Sequence, residues 1–268
     1  MASKAKPPAG RSAVPRAPAR IHIGVGGWNF PPWRGTFYPP DLTQARELEY
    51  AASRLSSIEI NSTFYGPQKP ATFEKWRMQT PRGFMFSVKG PRFATNRRVL
   101  AEAGDSIRRF LGGGVMQLGD RLGPINWQLA PTKKFDAEDM DAFMRLLPER
   151  FEGRVLRHAI EVRHASFSND EFITLAGQHG IAIVQAADSK YPCIEDASSS
   201  FVYARVMGSS PKPKLGYTPR ELDRWSRRVQ DWASEGREVF LYFISGHKVK
   251  NPAAAMALIS RLAKPGSS

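Results

Sequence analysis

The sequence of 268 residues contains a single cysteine, Cys193, and no long apolar run. One cysteine excludes disulfide bonds within the chain and metal centres built from several thiolates. A membrane-spanning helix needs about 20 consecutive apolar residues, and no segment of this chain approaches that length. Because disulfides are rare in reducing compartments, these absences lead us to expect a cytoplasmic protein without a membrane partner.

Negative charge is also scarce. The chain has 39 Lys and Arg residues against 25 Asp and Glu residues, and its formal net charge is +14. Residues 1–20 contain five basic residues, no acidic ones, and many Pro, Ala and Ser residues. That composition is typical of disordered segments. We therefore expect a disordered basic tail at 1–20, followed by one domain over 21–264.

Short apolar runs recur along the domain and are separated by helical patterns. The predicted strands are 21–28, 57–64, 84–90, 124–129, 158–164, 181–188, 201–208 and 238–245. The predicted helices are 42–55, 71–79, 95–111, 137–147, 169–179, 219–235 and 252–262, with a loop in place of the sixth helix. Alternation of this kind implies parallel strands with right-handed crossovers. Eight such units predict an α/β fold, the (β/α)₈ TIM-type barrel.

A glycine-rich turn at the end of the first strand raises the alternative of a dinucleotide-binding fold. Gly24, Gly26 and Gly27 are followed by Trp28 and by Pro31-Pro32-Trp33. No helix can begin there, although a dinucleotide site requires one directly after its glycines. We therefore reject that fold and expect no cofactor.

Polar side chains alternate with apolar ones in five of the predicted strands. In the second strand, for example, Ile58 and Ile60 alternate with Glu59 and Asn61. Because helices cover the outside of a barrel, the apolar set faces the helices and the polar set faces the interior. The interior polar set is Glu59, Asn61, Lys89, Gln128, Glu161, Arg163 and Arg205. Most of these residues lie late in their strands, at the end where barrel enzymes build their sites.

Structural ion pairs are the alternative explanation of this set, for example Glu161 with Arg163 or Glu59 with Lys89. Buried charges are costly, and replacing a buried pair by apolar residues is often neutral or stabilising. Seven polar groups are therefore a poor way to build a core. We interpret the set as a functional pocket, because clusters of buried ionisable groups tend to mark sites.

Several motifs carry a family resemblance. They are 23–28 (IGVGGW), 33–39 (WRGTFYP), 59–65 (EINSTFY), 84–89 (FMFSVK), 122–124 (LGP), 128–129 (QL), 161–164 (EVRH) and 203–205 (YAR). In combination they resemble the YecE-like family, α/β-barrel proteins of unknown function, over about residues 21–260. The resemblance supports the barrel and implies no particular reaction. It also supports the assignment of seven residues to the site: Glu59, Asn61, Lys89, Glu161, Arg163, His164 and Arg205.

The chain also departs from the family pattern at two places. It has Met207-Gly208 after the seventh strand, where members usually carry His-Gly. It has Ser245-Gly246-His247 after the eighth strand, where members usually carry residues rich in Asn and Asp. If those residues perform chemistry elsewhere in the family, this protein binds a ligand without converting it.

The first functional hypothesis is an enzyme acting on a phosphorylated or carboxylated small molecule at the mouth of the barrel. Arginine and lysine bind such anions, and a buried glutamate can act as general acid or base, as in a hydrolase, an isomerase or a lyase. The catalytic candidates are Glu59, Glu161, Lys89 and His164, with His164 as a proton shuttle. The substrate-binding candidates are Asn61, Tyr65, Gln128, Arg163, Arg205 and Trp28.

The second hypothesis is nucleic-acid binding or processing. Basic residues cluster at 1–20, 92–98, 108–109, 212–214 and 224–228. Trp28, Trp33, Phe64 and Tyr65 could stack on bases at the mouth, although no nucleic-acid motif is present.

A metal site is the third hypothesis, and the sequence argues against it. The five histidines form no H-x-H or H-x-x-x-H pair, which removes the usual spacing of a zinc site. Glu59, Glu161 and Asp188 could offer oxygen ligands, but Lys89 and the arginines would compete with the cation. We expect no metal. The sequence contains no signal for oligomeric state.

Overall fold

The computed structural model describes residues 20–263, so the predicted basic tail lies outside the described residues except for Arg20. Eight parallel strands run through this part of the chain. They are β1 Ile21–Gly26, β2 Ser57–Ile60, β3 Met85–Lys89, β4 Leu122–Gln128, β5 His158–Glu161, β6 in two segments, Ala182–Ile183 and Gln185–Ala187, β7 Phe201–Val206 and β8 Glu238–Phe243.

The divided sixth strand closes the sheet. Its first segment pairs with β5 and its second segment with β7. Between the segments, the backbone N–H of Val184 donates to the carbonyl of Ile160 at 2.9 Å. At the opposite seam, β1 pairs with both β2 and β8. Each strand therefore has a neighbour on either side, and the predicted (β/α)₈ barrel is confirmed.

Helices cover the outside of the barrel. Within residues 20–263 they are α1 Glu47–Arg54, α2 Ser62–Tyr65, α3 Pro70–Met78, α4 Arg92–Thr95, α5 Gly104–Gly112, α6 Ala137–Arg145, α7 Asp170–Gln178, α8 Pro219–Ser234 and α9 Asn251–Leu262. A short antiparallel hairpin, Arg150–Phe151 with Arg154–Val155, precedes β5 and was not predicted. None of the helices in this range combines the length and the apolar character needed to cross a bilayer.

The predicted strands end earlier than expected, and the cause is visible in β1 and β2. β1 stops at Gly26 because Gly27, with a φ of 70°, turns the chain away from the sheet. β2 stops at Ile60, and the short helix α2 begins at Ser62. The hydroxyl of Thr63 in α2 donates to the carbonyl of Lys89 at 2.7 Å. That bond holds α2 across the end of β3, where a longer β2 had been expected.

The predicted long basic helix over 95–111 is wrong. The segment forms α4, then a 3₁₀ turn at Leu100–Ala103, then α5. Side chains replace the helical hydrogen bonds at the break, since Arg97 Nε donates to the carbonyl of Phe93 at 2.9 Å. Nearby, the backbone N–H of Ala101 donates to Asp139 Oδ1 at 2.9 Å.

The predicted alternation within the strands separates two layers of packing. The outward residues, among them Ile58, Ile60 and Val88, belong to the large apolar cluster under the helices. A second apolar cluster fills part of the barrel interior, with Met85, Phe201 and Phe240 among its members. Polar side chains occupy the rest of the interior, towards the C-terminal ends of the strands.

Close contact between β1 and β2 explains the first glycine of the glycine-rich turn. A β-carbon on Gly24 would lie 1.9 Å from the carbonyl oxygen of Ser57. Only glycine lets the two backbones approach this closely. Gly24 therefore serves barrel closure, which agrees with the rejection of a phosphate-binding turn.

We expect Gly24→Ala to lower the free energy of unfolding by about 1–3 kcal/mol, because the added methyl group forces the strands apart. Urea unfolding followed by circular dichroism measures the change. Gly112→Ala is the matched control, since a β-carbon there has no atom within 4 Å. That variant should be neutral or slightly stabilising. Equal stability of the Gly24 variant and the unaltered protein would contradict the packing argument.

Candidate functional site

A buried arginine on β7 lies at the centre of the interior polar residues. Arg205 Nη1 donates to Glu161 Oε2 at 2.5 Å, and its Nη2 donates to Glu59 Oε1 at 3.1 Å. Both carboxylates are fully buried, and Arg205 is 3% exposed. One guanidinium therefore bridges carboxylates from β2 and β5 across the inside of the barrel.

Glu59 lies in the deeper part of this cluster. Its register partner on β3 is Ser87, two residues before Lys89. Glu59 Oε2 accepts a hydrogen bond from the hydroxyl of Tyr203 at 2.6 Å. Asn126 Nδ2 lies 3.4 Å from Glu59 Oε2 and 3.4 Å from Glu161 Oε2. Both oxygens of Glu59 are occupied by protein groups, so its carboxylate acts on the cluster through Arg205.

Gln128 lies at the end of β4 and brings the cationic groups together. Its Oε1 accepts hydrogen bonds from Lys89 Nζ at 2.6 Å, Arg163 Nη2 at 2.9 Å and Arg205 Nη1 at 3.4 Å. Arg163 Nε also donates to Glu161 Oε1 at 2.8 Å. Three cations thus share two carboxylates and one neutral amide oxygen. With all five groups ionised, the cluster carries one surplus positive charge.

The surroundings shift the pKa values of Lys89 and Glu161 in ways that matter near neutral pH. Burial lowers the pKa of Lys89 to about 8, helped by the nearby charge of Arg205 and opposed by Glu59 and Glu161. Burial raises the pKa of Glu161, but Arg205 and Arg163 outweigh it and hold the pKa below its ordinary value. At neutral pH Glu161 is therefore ionised, and Lys89 is protonated but close to its titration point.

Aromatic rings border the cationic groups. Lys89 Nζ lies 4.1 Å from the centroid of the Phe64 ring in α2. Arg163 Cζ lies 4.5 Å from the centroid of the Tyr191 ring, and its Nη1 is 3.5 Å from the Tyr191 hydroxyl. Tyr191 belongs to the loop between β6 and β7. Contacts of this kind stabilise a partly desolvated cation.

Three residues of the cluster were not in the predicted site set. Asn126 and Tyr203 occupy inward positions of the same alternation that identified Gln128 and Arg205, so the strand pattern could have found them. Tyr191 lies in an irregular loop, where no periodic pattern predicts which way a side chain points.

Trp28 and Tyr65 lie outside the hydrogen-bonded cluster. The Trp28 ring packs edge-on against Trp76 of α3, with 5.0 Å between centroids, and lies 6.2 Å from the ring of Phe86. Those neighbours place it between the barrel and the helix layer, because Phe86 is an outward residue of β3. Tyr65 is 65% exposed and contacts Phe64 edge-on.

Asn61 and His164 also lie apart from the cluster, near the strand ends. Asn61 precedes α2, and its Nδ2 is 3.5 Å from the backbone carbonyl of Glu59. His164 Nδ1 accepts a hydrogen bond from the backbone N–H of Ser166 at 3.1 Å and caps the short 3₁₀ turn that follows. Accepting that bond leaves the ring proton of neutral His164 on Nε2.

The backbone is strained at two of the strand ends that form the mouth. Asp188, directly after β6, has a φ of 53°, and Ser245, after β8, has a φ of 63°. Non-glycine residues adopt such values at a cost, and they occur preferentially at functional sites. The Ser245-Gly246-His247 turn is also held by the segment after β7, because the His247 N–H donates to the Ser209 carbonyl at 2.8 Å.

The acidic and imidazole side chains of the described residues form no group of metal ligands. Between residues 20 and 263, no three His, Cys, Asp or Glu side chains are grouped so that they could hold a metal ion. Glu59 and Glu161 instead both bind Arg205.

Sequence comparison connects the chain to proteins of unknown function. A family model described as "Protein of unknown function DUF72" matches residues 22–268. The UPF0759 protein YecE of Escherichia coli K12 is 29% identical over 150 residues, covering 55% of this chain and 50% of YecE. The UPF0759 protein YunF of Bacillus subtilis 168 is 33% identical over 69 residues, covering 26% and 23%. The matches thus span half or less of these curated relatives.

Solved structures share the fold. A DUF72 family protein from Thermotoga maritima has a TM-score of 0.76 at 21% identity, covering 91% of this chain and 100% of that one. A DUF72 family protein from Enterococcus faecalis has a TM-score of 0.70 at 15% identity, covering 92% and 97%. At these identities the likeness concerns the fold alone. The match over residues 22–268 confirms the resemblance carried by the motifs, and the chain belongs to the DUF72 family, which includes YecE-like proteins.

Proposed function

We propose that the chain is an enzyme that acts on a small phosphorylated or carboxylated molecule at the C-terminal mouth of the barrel. The observation that carries the proposal is the convergence of Lys89, Arg163 and Arg205 on the neutral Gln128 oxygen. An anionic oxygen from a ligand would supply the negative charge that the cluster lacks. Guanidinium groups bind phosphate and carboxylate oxygens with charge-assisted, often bidentate, hydrogen bonds.

The order of the groups along the barrel indicates how a ligand would enter. Lys89 and Gln128 are the last residues of β3 and β4, and Arg163 lies two residues beyond the end of β5. The Arg163 side chain is 17% exposed, whereas that of Arg205 is 4% exposed. A ligand arriving from solvent would therefore meet Arg163 first, then Lys89.

Lys89 is suited to proton transfer. Glu161 is ionised and has an arginine on each carboxylate oxygen, so it would accept a proton only after a ligand has drawn one of these arginines away. An amine with a pKa of about 8 can donate or accept a proton near neutral pH, where general acid–base catalysis is most efficient. Glu59 would position Arg205, and the Nε2 proton of His164 remains available for a shuttle. These roles fit a hydrolase, an isomerase or a lyase.

Nucleic-acid binding at the mouth has less support. A stacking platform needs exposed aromatic faces. Trp28 packs against Trp76, and Phe64 is covered by Lys89. Trp33 is buried. Tyr65 is the exposed member of the predicted aromatic set, so the geometry favours a small ligand.

A thermal-shift screen with sugar phosphates, nucleotides and carboxylates tests anion binding. A ligand at about 100 times its Kd adds about 2.7 kcal/mol to stability, which raises Tm by several degrees. We expect at least one small anion to stabilise the unaltered protein and to have no effect on Arg163→Gln. Arg92→Gln is the matched control, because it removes an equal charge from an exposed residue just after β3. If the two variants respond alike, the cluster is not the binding site.

The affinity for that anion should fall as pH rises through about 8, the pKa of Lys89. The sign follows because Lys89 attracts the anion while protonated and loses that charge above its pKa. Titration calorimetry from pH 6.5 to 9.5 should show the decline in the unaltered protein. Lys89→Gln should bind weakly and lack the decline centred near 8. A pH dependence that survives in this variant would assign it to another group.

A further inference from the structure

We propose that the N-terminal end of the barrel, opposite the mouth, binds the phosphate backbone of a nucleic acid. This end contains an open depression of about 810 Å³, the arginine bowl, which is lined in part by Arg20, Arg150, Arg154 and Arg157. The proposal concerns a different surface from the mouth and does not depend on the proposed enzyme function.

The fold places these arginines around one concave surface. Arg20 directly precedes β1, and Arg157 directly precedes β5. Arg150 and Arg154 lie on the short hairpin before β5, where Glu152 and Gly153, with φ values of 46° and 76°, form the turn. Arg150 Nη2 also donates to the Gly153 carbonyl at 3.2 Å. Strand starts and a tight turn thus hold four guanidinium groups at the same end of the barrel.

The carboxylates of the bowl are already paired. Asp120 binds Arg121. Glu238 binds both Arg157 and His22, with His22 Nε2 at 2.8 Å. Arg157 is further held by the Phe240 ring, whose centroid lies 4.9 Å from Cζ.

The other bowl arginines have no such partner. Arg20, Arg150 and Arg154 are exposed and form no ion pair with any carboxylate between residues 20 and 263. The bowl therefore presents three exposed arginines without an ion-pair partner, and the nearby charge of Glu238 compensates only that of Arg20 in part.

The shape and the charge pattern favour a polyanion with repeated phosphates. A flat bilayer cannot enter a concave surface, whereas a strand backbone can lie in one. In the sequence, Arg20 is preceded by Lys4, Lys6, Arg11 and Arg16, with no acidic residue among residues 1–19. Basic groups spaced along a polypeptide match phosphates spaced along a polynucleotide.

The mode of recognition follows from the residue types. None of the described residues that line the bowl is aromatic, so it offers no ring on which a base could stack. Arginine contacts to phosphate fix position without reading sequence. We infer binding that depends weakly on base sequence and strongly on salt.

Fluorescence anisotropy of a labelled DNA duplex, titrated with the full chain at several salt concentrations, tests the proposal. Each phosphate neutralised contributes about 0.9 to the slope of log K against log salt concentration. The double variant Arg150→Gln/Arg154→Gln should therefore reduce the slope by about 1.8 and weaken binding about tenfold at low salt. Both side chains are exposed, and a melting curve followed by circular dichroism verifies that the variant folds.

The double variant Arg224→Gln/Arg227→Gln is the matched control, because it removes the same charge from the exposed side of α8. It should leave the slope unchanged and weaken binding less than about twofold. If the two variants weakened duplex binding equally, the effect would come from net charge alone and the proposal would be overturned. So would the absence of duplex binding at low salt, or a preference for anionic phospholipid vesicles over the duplex.

Discussion

The burial of Arg205 between Glu59 and Glu161 is the interaction on which the interior of the barrel depends. A buried charge is tolerated only when partners compensate for the loss of water, and breaking such a pair costs about 3–5 kcal/mol. The two carboxylates come from β2 and β5, and the guanidinium comes from β7. The three residues therefore depend on one another, and together they connect strands that are not neighbours in the sheet.

Packing around this triad differs at the two ends of the barrel. Apolar side chains such as Phe201 and Phe240 fill the interior near the strand starts. Lys89, Gln128 and Arg163 extend the polar cluster towards the mouth, where the cations outnumber the carboxylates. At the other end of the barrel, the positive charges of the arginine bowl lie on the outside of the molecule. A strongly basic chain thus carries two separate groups of positive charge, one largely buried and the other largely exposed.

The strand pattern predicted the barrel and most members of the cluster that lie within strands, Asn126 and Tyr203 being the exceptions. Glu59, Lys89 and Glu161 face inward because alternation is enforced by the apolar layer under the helices. The same reasoning failed just beyond the ends of two strands that are shorter than their pattern. Trp28 and Asn61 follow β1 and β2, so their positions depend on a positive φ at Gly27 and on the start of α2. The position of Tyr191 and the break between α4 and α5 depend on tertiary contacts. A periodic pattern in the local sequence does not encode such contacts.

We propose that the surplus charge of the mouth serves a ligand and not the stability of the fold. A pKa lowered from 10.5 to about 8 means that the fold disfavours protonated Lys89 by about 3 kcal/mol. Residues retained for function at the expense of stability can be replaced with a gain in stability. The most direct test is the Tm of Lys89→Met in a buffer without phosphate or carboxylate. We expect a higher Tm than that of the unaltered protein, together with the loss of every anion-induced shift. A lower Tm would contradict it, because Lys89 would then belong to a network that stabilises the barrel.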